Sequence, residues 1–445
     1  MHILKFPISA AFLSLSLAVI STSVNAQSGA NVSNTVTAQL DSLFDILEHE
    51  EAAMGSISLW QNGREIYTRS TGMASIKPPR KAHKNTKYRM GSMSKVYTAV
   101  LTLKMIEQGK LKYHTPLSEF YPEITNAEKI TIRHLLRHRS GLFNITSAAD
   151  YQQWMEKPIT EKQMLEKIKT YPSQFAPGTS FQYSNTNYIL LTYILQQVSG
   201  KPFADLLKKQ ITAPLHLPHT YPTDTLLAER EEALSFKKYG QWERSSITHG
   251  SVPLGAGNLV STASEINAFL NALFTGKLLQ EATLDSMQTI IEGYGMGLLT
   301  VPFHEKKAYG HTGGIDNYRS QAFHFPKENL TYTYLTNGLD YPLNDLSIAV
   351  LSIYFQREFS WPEFSESVTL PPELIEQYTG LYSKEGFPLK ITITEASGTL
   401  KAQASGQPAF PLTAKDKQTF TYKPAGVIIK FNPEKEELML LQNGM

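Results

Sequence analysis

Residues 57–67 read Ile57-Ser58-Leu59-Trp60-Gln61-Asn62-Gly63-Arg64-Glu65-Ile66-Tyr67. Apolar runs on both sides of an Asn-Gly pair predict a tight β-hairpin, because both central positions of such a turn need a positive φ that Asn and Gly tolerate. Upstream, Val36, Leu40, Leu43, Phe44, Ile46 and Leu47 fall close to a helical stripe between Asn34 and Ala52. Downstream, Val96 to Gln108, Ile132 to His138, Lys162 to Thr170, Asn187 to Val198 and Pro202 to Gln210 read as helices, punctuated by Pro116, Pro122, Pro172, Pro177-Gly178 and Gly200. Strand signals return at Ser320 to Phe325 and Leu330 to Thr336. A hairpin first, helices in the middle and strands again describe an antiparallel sheet closed from both ends of the chain, flanked by helices, with a helical insertion over about 105–250. That is an α+β architecture.

The pattern changes near Trp361-Pro362, and Pro371-Pro372 marks a plausible linker. Beyond it, Leu389, Ile391 and Ile393, then Leu400 and Ala402, Phe420 and Tyr422, Val427 to Phe431, and Leu438 and Leu440 form short alternating runs. They predict a small all-β, barrel-like domain over 366–445. At the other end, His2 and Lys5 precede an apolar stretch from Phe6 to Ile20 and the small-residue pattern Val24-Asn25-Ala26. This order reads as a cleavable signal peptide over 1–26, cut after Ala26, too short and too interrupted by Ser14 and Ser16 to span a bilayer. The expectation is an exported protein, periplasmic or secreted, with no integral span after cleavage and a catalytic domain over 27–365.

The 445 residues carry 42 Lys+Arg against 40 Asp+Glu, with no basic block long enough to track a phosphate backbone, so nucleic acid is not an expected partner. There is no cysteine. Any nucleophile must therefore be oxygen or nitrogen, and thiolate-held metal is excluded.

Three short elements can carry chemistry. Gly91-Ser92-Met93-Ser94-Lys95 precedes a strong helical pattern, which places Ser92 at the first turn near the positive end of the helix dipole, with Lys95 on the same face. A lysine whose pKa is lowered could take the serine proton. Alone, the SxxK spacing is weak: it recurs at Ser235-Phe236-Lys237-Lys238, where a solvated surface is expected. Tyr183-Ser184-Asn185 lies on a loop before a helix. Tyr183 could share or relay the proton and Asn185 could contact Lys95 or substrate. Gly310-His311-Thr312-Gly313-Gly314 precedes an apolar strand pattern, and its glycines would let an extended substrate lie along a strand edge. By itself HTG reads as a turn.

Together, in the order SxxK, YxN and HxG, these elements resemble the serine hydrolase superfamily of class C β-lactamases and low-molecular-weight penicillin-binding proteins. The resemblance extends to Ile130-Thr131-Ile132-Arg133-His134-Leu135-Leu136-Arg137-His138-Arg139-Ser140-Gly141-Leu142 and to Gly257-Asn258-Leu259-Val260-Ser261-Thr262-Ala263, and covers roughly residues 35–355. His134 and His138, four apart, could suggest a metal pair, but both match family positions not used for metal. The resemblance implies that Ser92 is the acylated nucleophile and that Lys95 and Tyr183 transfer protons. It makes Asn185, His311, Thr312 and Gly313 substrate-binding, and Ser92 and Gly314 the backbone donors of an oxyanion hole. No metal or organic cofactor is implied.

Class C β-lactamases carry KTG where this chain has His311-Thr312-Gly313, so a fixed positive charge is missing. HTG is similar to relatives acting as D-Ala-D-Ala carboxypeptidases, D-aminopeptidases and esterases. The leading expectation is hydrolysis of a D-amino-acid-containing peptide or related amide. The alternatives are an esterase on small acyl esters, a weak β-lactamase, or, in another class, a non-catalytic binder of cell-wall fragments. Tyr378-Thr379-Gly380-Leu381-Tyr382 and Gln442-Asn443-Gly444 resemble signatures of the lipocalin-like barrel that follows many of these hydrolases. In relatives a further strand usually follows QNG, so closure of the barrel is an open point. The sequence sets no oligomeric state.

Overall fold

The computed structural model describes residues 33–445 except 240, 365–367, 369, 384–389, 397, 406–408, 423–424 and 443–445. The signal segment 1–26, Leu389 and the Asn443-Gly444 pair lie outside the described residues.

Helix α1 (Asn34–His49) opens the described chain, its N-cap Ser33 accepting from the Val36 N–H. Strands β1 (Ala53–Gln61) and β2 (Arg64–Thr71) form the hairpin, joined by the two-residue turn Asn62-Gly63 at φ 52° and 74°. The helical middle includes α2 (Ser94–Glu107), α3 (Ile132–Leu136) and α4 (Asn185–Ser199). Helix α5 (Ala263–Phe274) leads towards strands β3 (Leu299–Phe303), β4 (Lys306–Ile315), β5 (Tyr318–Phe325) and β6 (Leu330–Leu339), and α6 (Leu343–Tyr354) follows them. The sheet order is β3-β4-β5-β6-β1-β2, antiparallel throughout. The late strand β6 thus pairs with the early strand β1, Ile57 opposite Tyr334, and closes the sheet from both ends of the chain.

The pairing of early and late strands follows from burial on both faces. On one side Leu40, Phe44 and Leu47 of α1 and Val350 and Ile353 of α6 pack on Ile57, Leu59 and Tyr332. On the other, Phe269 and Leu270 of α5 and the fully buried stretch Tyr188 to Leu195 of α4 belong to a larger core with Ala322 and Leu335. Helix α2 is buried from Ser94 to Leu103, all round, as a helix in the middle of a protein must be.

Three expectations change. The Gly310 to Gly314 segment is not a turn before a strand but lies inside β4. The second SxxK is not a solvated surface: Ser235 and Phe236 are buried, with Phe236–Tyr239 pairing to Gln241–Arg244. The C-terminal β segment consists of two four-stranded antiparallel sheets, and among the described residues no ladder closes them into a barrel. The chain crosses from one sheet to the other at the buried Leu412, and the two sheets share one core of Tyr378, Ile393, Leu400, Phe420, Ile429 and Phe431. No helix among the described residues is long and apolar enough to cross a membrane.

Candidate active site

The serine is held by a turn that only glycine can make. Gly91 has φ 54°, and a Cβ there would meet the Gly314 nitrogen at 2.8 Å. Gly313 is equally constrained, since a Cβ would stand 2.0 Å from the Met90 carbonyl oxygen. Ser320 Oγ donates to that same carbonyl at 2.7 Å, tying β5 to the turn. The 3-10 turn Gly91–Met93, which leads into α2, is thereby pressed against β4 with Ser92 facing the cleft.

Lys95 sits one helical turn after Ser92 and is fully buried. Its Nζ lies 3.0 Å from Ser92 Oγ, 2.7 Å from Asn185 Oδ1 and 2.8 Å from the Ala256 carbonyl oxygen. None of these partners is a carboxylate, so burial is uncompensated and holds the Lys95 pKa well below that of an ordinary lysine. The two carbonyl oxygens can only accept. A neutral Lys95 gives them its two N–H groups and turns its lone pair to the Ser92 hydroxyl.

Asn185 begins α4 and is fixed from behind. Its backbone N–H donates to Asn144 Oδ1 at 2.9 Å, and its Nδ2 donates to Asn144 Oδ1 and Thr146 Oγ1 at 3.2 and 2.8 Å. That network leaves Oδ1 for Lys95. Tyr183 stands beside this pair, with Lys95 Nζ 5.0 Å from its ring centroid. Burial pushes the Tyr183 phenol up, more than the nearby Ser92 hydroxyl lowers it. At neutral pH it is a phenol and not a phenolate. The Tyr183 ring packs against the His138 imidazole at 4.3 Å.

His311 stands behind this group. It is 2 % exposed and does not line the cleft. Its Nδ1 donates to the Thr312 carbonyl oxygen, so Nε2 is the bare nitrogen and accepts from the Tyr294 hydroxyl at 3.1 Å. Burial, and next Lys95 in its protonated form, push its pKa down to about 3. His311 is therefore neutral at any pH near 7. Thr312 and Gly313 are half-buried beside it and Gly314 is exposed. Strand β3 pairs with β4 only as far as Gly310, opposite Leu299, so the edge of β4 from His311 onward lies beyond the β3 ladder.

Ser92, Asn185, Ala256 and Gly314 line one cleft of about 410 Å³, with Thr248, Asp316 and Lys237. Several contributors escaped the sequence reading. Asn144, Thr146 and Tyr294 act through hydrogen bonds to other side chains and leave no spacing signal. Lys237 belongs to the second SxxK, whose spacing alone does not point to a site. Arg89 and Asp316 form an ion pair at 3.0 Å with both side chains 1 % exposed, and Asp316 Oδ1 also accepts from the Thr248 N–H and hydroxyl. The two histidines of the i, i+4 pair have structural partners: His134 Nδ1 accepts from the Thr131 N–H, and His138 Nδ1 accepts from the Ser184 N–H and Asn187 Nδ2.

Comparison with known proteins matches residues 43–351 to the beta-lactamase family. The chain is 24% identical over 433 residues to Penicillin-binding protein 4* of Bacillus subtilis, covering 88% of this chain and 93% of the relative. It is 24% identical over 227 residues to a teichoic acid D-alanine hydrolase of Staphylococcus aureus, covering 50% of this chain and 55% of that one. Among solved structures, D-amino acid amidase from Ochrobactrum anthropi SV3 superposes with a TM-score of 0.65 at 23% identity, covering 72% of this chain and 99% of the other. With a match spanning most of its length and the serine and lysine in contact, the chain belongs to the beta-lactamase family and is a serine hydrolase.

Proposed function

We propose that Ser92 is the nucleophile of an amide hydrolase acting on D-amino-acid-containing peptides or amides. The observation that carries this is the buried, carboxylate-free Lys95 amine 3.0 Å from Ser92 Oγ. In the first step the Ser92 hydroxyl gives its proton to the Lys95 lone pair while Oγ bonds to the substrate carbonyl carbon. The oxyanion faces the backbone N–H groups of Ser92 and Gly314, each such donor being worth about 2.7 to 4 kcal/mol in the transition state. Lys95 returns the proton through the Tyr183 hydroxyl to the leaving nitrogen, and the C–N bond breaks. Water, activated by the same pair, then releases the acid and restores Ser92. Asn185 holds the Lys95 amine, and Thr312 and Gly313 offer the strand edge to the substrate.

The D-amino-acid preference rests on the substrates in the names of similar proteins, an amidase of D-amino acids and a hydrolase of D-alanine on teichoic acid. The latter keeps ester cleavage as the second reading, since an ester needs less protonation of its leaving group. The neutral His311 argues against efficient β-lactam hydrolysis, because no cation stands at that position for the β-lactam carboxylate. Export through the 1–26 segment, a catalytic domain over 27–365 and a lipocalin-like segment over 366–445 complete the proposal.

One preparation should be assayed with D- and L-amino-acid amides, D-Ala-D-Ala peptides, p-nitrophenyl esters and a chromogenic cephalosporin, beside Ser92→Ala. The expected result is dominant turnover of D-amides, abolished in the variant. Dominant cephalosporin turnover sinks the His311 argument, and turnover that survives Ser92→Ala supports a different nucleophile or none.

A further inference from the structure

The catalytic cleft continues into a second recess of about 160 Å³, and Lys237 and Asn317 line both spaces. Arg319, Lys238, Asp340 and Tyr422 also line the recess, Tyr422 coming from the C-terminal sheets. Its ionised side chains are three cations and one carboxylate, and Lys238 stands 3.8 Å from that carboxylate.

Arg319 is an exposed side chain placed opposite Gly314 in the β4–β5 ladder. Its Nη1 would lie 3.5 Å from a Cβ on Gly314, so the guanidinium overhangs the peptide whose N–H is assigned to the oxyanion hole. Nη1 donates to the Tyr318 carbonyl oxygen at 2.9 Å, and among the described residues no carboxylate is within ion-pair distance of Arg319. Asp316, the one carboxylate among the described residues lining the catalytic cleft, is already paired with Arg89. Arg319 is the cation that overhangs this end of the reacting strand edge.

The two ends of the reacting strand edge differ in kind. The proton-transfer phenol Tyr183 packs 6.3 Å from His311, at the start of the edge, while Arg319 overhangs Gly314, three residues further on. A substrate whose leaving group is protonated at the His311 end sends its acyl part towards Arg319. We propose that this recess is a subsite for a carboxylate carried by the acyl part of the substrate, held by the Arg319 fork with Lys237 beside it, an inference that rests on the reading of Ser92 as nucleophile. Arginine suits this task because its planar donors match both oxygens of a carboxylate. The anion then stays on the enzyme through the acyl-enzyme stage and leaves with the acid product.

Product binding tests this without depending on turnover. Calorimetry on the Ser92→Ala protein would compare N-succinyl-D-alanine with N-acetyl-D-alanine, which differ in the distal carboxylate. The succinyl compound should bind about tenfold tighter, as one exposed charge-assisted contact provides. Arg319→Gln should remove that preference and Arg319→Lys should keep part of it. Equal affinities, a preference that survives in both Arg319→Gln and Lys237→Gln, or no binding of either compound overturns the proposal. Equal, Arg319-dependent binding of N-succinyl-L-alanine would instead remove the D-amino-acid reading and leave the carboxylate subsite standing.

Discussion

A lysine acts as a base near neutral pH only where its ammonium has lost its water and gained no counter-ion, and Lys95 meets both conditions. Lys95→Arg keeps a long basic side chain at the position but one that stays protonated and cannot take the serine proton, so kcat should fall by roughly 10²- to 10⁴-fold, the usual worth of a positioned general base. Circular dichroism would check that the fold survives. Tyr183→Phe should cost a comparable factor on amides and less on activated esters, because only the amide nitrogen must be protonated as it leaves. The same environment fixes a pH dependence. Catalysis needs neutral Lys95, so kcat/KM should rise with pH through the depressed lysine pKa, well below 10.5, and His311, titrating at about 3, should add no limb near neutrality. A profile that rises only near pH 10 would count against Lys95 as the base.

At the scale of elements, the site depends on how closely β4 approaches the turn before α2. Gly313→Ala would drive a methyl into the Met90 carbonyl oxygen and Ser320 Oγ, at 2.0 and 2.3 Å in the unrelaxed geometry. Overpacking of this kind typically costs about 1 to 3 kcal/mol. Activity should suffer more than stability, since relief moves Gly314 away from Ser92; a variant with full activity and an unchanged Tm would refute that contact. The same contact explains what could be read in advance. The SxxK helix was legible because α2 carries apolar residues on every face and its glycine precedes the serine. The HTGG strand looked like a turn because Gly310, Gly313 and Gly314 have poor strand propensity, and only the neighbouring backbone explains why glycine stands there. Helices α5 and α6 were not read as such: α5 follows the Leu259–Ser261 strand with only Thr262 between them, and α6 begins after Pro342. Of the candidate site, the residues that carry a motif are legible in the sequence and their supports are not, because Asn144, Thr146 and Tyr294 reach it through folding alone.

Over the whole molecule, three buried imidazoles, His138, His311 and His324, link stability to acidity, burial holding each below its ordinary value. Burial lowers His324 to about 4 and His311 to about 3, below the ordinary 6.5 of an unfolded chain. The unfolded state therefore binds protons that the native state refuses as pH falls below 6.5. Their contribution is complete above that pH and is lost progressively towards 4 and 3, at up to about 1.4 kcal/mol per pH unit for each site. Thermal melts from pH 7 to 4.5 should show Tm falling, with a shallower slope in His324→Gln; an identical slope in the variant would remove His324 from this account. The large cores on the two faces of the main sheet keep these groups dry while leaving the Ser92 cleft open. The central claim is that one hydroxyl among all those on the chain is activated. Intact-protein mass spectrometry after fluorophosphonate treatment tests it most directly: the account predicts a single adduct on the wild-type protein and none on Ser92→Ala, and equal labelling of the two would contradict it.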